Sequence, residues 1–137
     1  MTRRDLSLLL LAASAARAQE RQKLASKVYR STAVPYSGDQ QKKGRQFFHG
    51  ENHSGFGIEM HETVLGSGVR THDPHKHEHE EIVIVFEGAV EALIDGRTEL
   101  AEAGSVIYFG SNQLHSARNA GDSPCRYYVI ELRGSEA

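Results

Sequence analysis

The chain has 137 residues, with 16 Lys+Arg against 18 Asp+Glu and a formal net charge of −2 at pH 7. That size suits one domain with one core, and a mildly acidic chain without a basic block argues against nucleic-acid binding. Cys125 is the only cysteine, which excludes an intramolecular disulfide.

The first segment reads as a targeting signal. Arg3-Arg4 precedes the apolar run Leu8-Leu9-Leu10-Leu11-Ala12-Ala13, and Ala16-Arg17-Ala18 has the small-x-small form of a signal-peptidase site. The apolar run is far shorter than the ~20 residues that span a bilayer. The expectation is a signal peptide over residues 1–18, cleavage before Gln19, and a periplasmic or secreted protein with no membrane attachment. The paired arginines suggest folded export by the twin-arginine route.

Strands and turns follow. Val28 to Val34 looks extended up to Pro35, and Ser37 to Gly44 is a polar loop. Arg45–His49 and Gly57–Leu65 read as strands around the turn Glu51-Asn52-His53-Ser54-Gly55. Glu81–Glu87 and Ala89–Ile94 are strands joined at Gly88, and Asp95-Gly96 is a strong hairpin signal before Arg97–Leu100. Val106–Phe109, His115–Asn119 and Arg126–Leu132 complete the set. Many short strands at regular spacing indicate an all-β sandwich or barrel. Ile82-Val83-Ile84-Val85-Phe86 is apolar at every position, so both of its faces are expected to be covered: one by the interior, the other by a second layer, a partner subunit or the N-terminal segment.

The chemistry concentrates in His75-Lys76-His77-Glu78-His79-Glu80-Glu81, directly before that apolar run. Imidazole and carboxylate together suit a first-row divalent ion. In an extended segment His75 and His77 point the same way, as two ligands of one ion must. Downstream, Gly104 to Asn119 reads as strand, turn and strand, with His115 on the second strand.

Together these two segments resemble the paired motifs of the cupin superfamily. The first motif falls on Gly68, His75, His77, Glu81 and Gly88, and the second on Gly104, His115 and Asn119. Six residues instead of five separate Gly68 from His75, and Gly110 and Asn112 stand where the family has a proline and a glycine. Both are turn formers that tolerate positive φ. The resemblance implies a single cupin barrel, a jelly-roll or double-stranded β-helix, over residues 45–137, preceded by an N-terminal extension and strand over 19–44. It implies one divalent transition metal (Fe, Mn, Zn, Ni or Co) on His75, His77, Glu81 and His115, and a homodimer packed through its sheets.

The resemblance places no ligand at His79, which is expected to face solvent or stand behind the ligands. His72 is expected at the rim, and His49, His53 and His61 as surface or packed residues. Asn119 is expected to close a backbone hydrogen bond, and one of Tyr108 and Phe109 to line the cavity. Two functions follow from the resemblance. One is a metal-dependent enzyme of oxygenase, isomerase or lyase type acting on a small oxygen-bearing molecule, with catalytic residues beyond the metal set unassigned. The alternative is a non-catalytic module that binds or senses a small ligand.

Overall fold

The computed structural model describes residues 22–134; the expected signal peptide lies outside them. Nine strands follow one 3-10 turn, Ser31–Ala33. They are β1 (Ser37–Gly38), β2 (Lys42–Glu51), β3 (Gly57–Leu65), β4 (Glu80–Glu87), β5 (Ala89–Ile94), β6 (Arg97–Glu102), β7 (Val106–Phe109), β8 (His115–Asn119) and β9 (Cys125–Gly134). Six form one antiparallel sheet in the order β1-β2-β3-β9-β4-β7, and three form another in the order β6-β5-β8. The two sheets enclose the core in the expected jelly-roll arrangement. Among the described residues no helix is long and apolar enough to cross a membrane.

Period-two alternation decides which side chains enter the barrel. On β3 the inward residues run Leu65, Thr63, His61, Glu59; on β9, Cys125, Tyr127, Val129, Glu131; on β4, Val85, Val83, Glu81. The interior is therefore apolar at one end and ionisable at the other. Leu65, Val83, Val85, Val90 and Cys125 are almost wholly buried at the apolar end. Each large aliphatic side chain there contributes about 1.5–3 kcal/mol by leaving water.

Register is pinned by turns that only certain residues make. Asp95 and Gly96 both have positive φ, 46° and 85°, as the tight hairpin between β5 and β6 requires. Gly88 has a φ of 80°, and a Cβ there would approach Cys125 Cβ to 3.0 Å. The β4–β5 corner thus needs glycine for conformation and for space.

Two expectations need correction. Val28 to Val34 is not a strand. It crosses the outer face of the large sheet, where no backbone ladder is offered, and folds into the turn Ser31–Ala33. Arg45 Nη1 holds it by donating to Ser31 O at 3.0 Å and Val34 O at 3.4 Å, and Tyr29 packs on Phe48 with ring centroids 5.0 Å apart. The polar loop of residues 37–44 also contains β1, which pairs with the start of β2.

On β4 the inner residues Val83 and Val85 are buried, as expected, and within the single chain the outer face is covered only in part, with Ile82 and Ile84 half-buried and Phe86 exposed. Among the described residues the segment 28–34 covers the Phe48 side of this sheet, and on the β4–β7 side Val106 and Tyr108 are also exposed.

Asn119, fully buried, performs the expected closure: Nδ2 donates to Leu65 O (2.9 Å) and Ser123 O (2.8 Å), and Oδ1 accepts from Gly121 N (2.9 Å). Asn119→Ala leaves these backbone groups unpaired and is expected to cost roughly 3 kcal/mol. A urea midpoint unchanged from the parent would refute this role.

Candidate metal centre

The ionisable end of the barrel opens into a pocket of about 260 Å³ lined by both sheets. His115 starts β8 and His75 sits in the loop before β4. Their backbones exchange two hydrogen bonds, His75 N to His115 O (3.1 Å) and His115 N to His75 O (2.8 Å). Asn112 N, in a residue with a φ of 57°, donates to His77 O at 2.8 Å. The turn of the second motif therefore clamps the loop of the first. Gly110 does not use positive φ, but a Cβ there would lie 2.6 Å from Gln113 Oε1.

Three rings converge. The centroids of His75, His77 and His115 form a nearly equilateral triangle, 4.9, 4.8 and 4.8 Å on its sides. Glu81 reaches in from β4, with Oε1 3.6 Å from His77 Nε2 and Oε2 3.2 Å from His115 Nε2. The four expected ligands are thus brought to one place. Two neighbours extend the group. Ligand atoms of His72, His75 and His115 lie within 4.8 Å of one another, as do those of His77, His79 and Glu81.

The tautomers are set from behind. His115 Nδ1 donates to Gln113 O at 2.9 Å and His77 Nδ1 to His79 O at 2.7 Å, which leaves both Nε2 lone pairs for the pocket. His115 Nε2 is buried without a hydrogen-bond partner, and Glu81 Oε2 lies 3.2 Å from it. A buried, oriented imidazole nitrogen beside a carboxylate and two more imidazoles is a donor set that fits a divalent transition ion.

Without an ion these groups compensate one another. Burial is the largest influence on Glu81 and pushes its carboxyl up, but the adjacent His115 ring, with His77 and His79 beyond it, brings it below the ordinary range. Burial likewise pulls His115 down, and Glu81 together with Gln113 O more than offsets it, so His115 is raised. His75 is pushed down to about 4 by burial and then by the His72, His115 and His77 rings.

His79, expected to face solvent or stand behind the ligands, lies largely buried beside the triangle. Its ring stacks on His77 at 3.6 Å with an interplanar angle of 3°, and its Nε2 lies 3.6 Å from Glu131 Oε2. Phe109, not Tyr108, lines the cavity, stacked on His115 at 4.5 Å. Tyr108 points outward, and its hydroxyl donates to Glu80.

Residues 61–131 match the cupin domain family Cupin_2. The chain belongs to the cupins. The cupin KdgF from Halomonas sp. superposes with a TM-score of 0.66 at 15% identity, over 80% of this chain and 96% of that one. An RmlC-like cupin from Shewanella frigidimarina gives 0.66 at 16%, over 82% and 95%. The polyketide cyclase RemF from Streptomyces resistomycificus gives 0.62 at 20%, over 80% of each. These likenesses establish the fold. No curated protein sequence matches the chain.

Sequence reasoning placed one further histidine of this cupin pocket, His72, only at its rim and missed another, His61. His72 stacks on His75 with centroids 3.7 Å apart, and His61 lines the wall. His72 lies in an irregular loop, where spacing carries no direction. His61 was legible: it shares strand parity with Glu59, and the alternation of β3 puts both inside.

The depressed His75 value sets a pH dependence. Between about pH 4 and 6.5 the unfolded chain holds this proton and the folded chain does not, so acid favours unfolding there. Glu81 acts in the same direction at lower pH; His115, being raised, contributes stability below its unfolded value and loses it as pH rises. His75 is solvent-exposed, which screens the effect and keeps it small. The metal-free His75→Asn variant is expected to lose less stability than the parent between pH 6.5 and 4.5, read from urea midpoints. An equal or steeper loss would show that His75 is not held neutral.

Proposed function

We propose that this protein is an exported metal-dependent cupin enzyme acting on a small oxygen-bearing molecule through His75, His77, Glu81 and His115. The observation that carries the reading is the ring triangle closed by Glu81, with the unpartnered His115 Nε2 aimed into it. Bound there, a divalent ion supplies Lewis acidity, and a redox-active one supplies electron transfer as well. The chain's own groups do the rest. Gln113 O and His79 O hold the imidazoles in one tautomer. Phe109, Val83, Val129 and Tyr127 furnish apolar walls. Burial holds the Tyr127 hydroxyl up at about 12, so it stays protonated.

Three neutral imidazoles and one carboxylate leave a divalent site with a net charge of about +1, which favours an anionic chelator such as a carboxylate, enediol or phenol. A cavity of about 260 Å³ suits a compact molecule and not a polymer.

Elemental analysis of the purified protein is expected to show one transition ion per chain, largely lost in His75→Ala and His115→Ala and kept in His79→Ala. Full occupancy in the first two variants would overturn the ligand set. Calorimetry against small acids, sugars and phenols should then give binding that disappears with the metal. Binding indifferent to metal removal would show that the pocket does not work through an ion.

The same reading includes export and pairing. Protein recovered from its native cells is expected to begin at Gln19 and to scatter light as two chains, joined over Ile82, Ile84, Phe86 and Val106. An intact Met1 in the cytoplasm refutes export, and a monomer refutes the pairing.

A further inference from the structure

Beside the metal candidates, the pocket wall carries a second arrangement. Glu59 on β3 is 5% exposed, and its carboxylate accepts from His61 Nδ1 at 2.7 and 3.0 Å and from Gln46 Nε2 at 3.2 Å. A buried carboxylate held at two points fixes the ring it bonds. With the proton on Nδ1, the lone pair of His61 lies on Nε2. No protein partner for that nitrogen is found among the described residues. The side chain is 29% exposed and lines the same pocket as His77, Glu81 and His115. An imidazole oriented by a carboxylate, with its other nitrogen open to a cavity, is the arrangement that general acid–base catalysis requires.

The pairing of strands sets the distance scale. Glu59, Glu131 and Glu81 are register partners across β3, β9 and β4, and His61 is the next inward residue on β3. His61 thus stands two strands from Glu81, across the width of a small molecule. Two other polar residues of the pocket have no comparable freedom. Glu131 is tied to Arg133, and Ser116 Oγ donates to His72 O at 2.6 Å.

Resting on the metal reading above, we propose that His61, positioned by Glu59, is the proton-transfer group of this pocket, and that its substrates are small 2-oxo carboxylic acids. Such acids carry two oxygens on adjacent carbons and a negative charge, as the site charge favours. The carbon beside the carbonyl is then the one whose proton faces the wall. In the step, the C–H bond breaks and its proton goes to His61 Nε2. The bonding pair becomes a carbon–carbon double bond, and the carbonyl π pair moves onto its oxygen as an enolate. Return of a proton from Nε2 closes the cycle, with no oxidant consumed. This selects isomerase or lyase chemistry over oxygenation.

Pyruvate tests it, since its methyl protons exchange with deuterium through that enolate. Zinc-loaded protein in D2O is expected to exchange them faster than zinc alone, followed by proton NMR. His61→Asn keeps an amide donor for Glu59 and removes Nε2. It should lower the exchange rate roughly 100-fold, with zinc content and calorimetric pyruvate affinity retained. Glu59→Gln should lower the rate by a smaller factor. In the metal-free protein, NMR of 15N-labelled histidine should show His61 as the Nδ1–H tautomer with a low-field Nδ1 proton, lost in Glu59→Gln. If zinc and pyruvate bind but the parent does not exceed free zinc, or His61→Asn matches the parent, the inference fails and the metal reading stands. Zinc bound without pyruvate refutes the substrate class. Absence of zinc binding refutes the metal reading itself. An Nε2–H tautomer refutes the positioning by Glu59.

Discussion

Three carboxylates set side by side inside the barrel mouth constrain everything around them. The register of β3, β9 and β4 places Glu59, Glu131 and Glu81 in one row, all facing inward. Adjacent strands lie only about 4.8 Å apart, and like charges opposite one another destabilise a sheet. Glu59 is answered by donors from His61 and Gln46 and Glu131 by Arg133 with His79 nearby, whereas Glu81 has only the Nε2 atoms of His115 and His77 beside it.

The answers differ in strength, and the difference sorts their roles. Arg133 carries a permanent charge and settles Glu131 for good. The imidazole of His61 is the softer partner. Burial lowers its proton affinity, but the Glu59 hydrogen bond and charge, with Glu131 and Glu81 behind them, raise it overall. Glu81 is answered by rings whose nitrogens also suit a metal, so it is the member of the row whose partner can be exchanged for an ion.

Much of this was legible in the residues. Strands β3 to β9 fall within a residue or two of their expected limits, because alternation and turn chemistry act locally. His75, His77, Glu81 and His115 come together as their motif spacing implied, through a backbone bridge between His75 and His115 that spacing cannot display. Val28 to Val34 misled because β propensity does not say whether a partner strand is available. Ile82 to Phe86 was legible as a run that avoids water on both faces, but such a run does not name what covers its outer face. The carboxylate row was hidden for a different reason. Its members are spread from residue 59 to residue 131, and only strand pairing makes them neighbours.

The graded interior, apolar behind and ionisable in front, has a kinetic meaning. Leu65, Val85, Val90 and Cys125 close the deep end, so a molecule that reaches the imidazole triangle enters past the rim and leaves by the same route. Among the described residues the pocket is closed at its deep end, so an occupant must leave by the mouth before another can enter, and any molecules that fit the mouth exclude one another there.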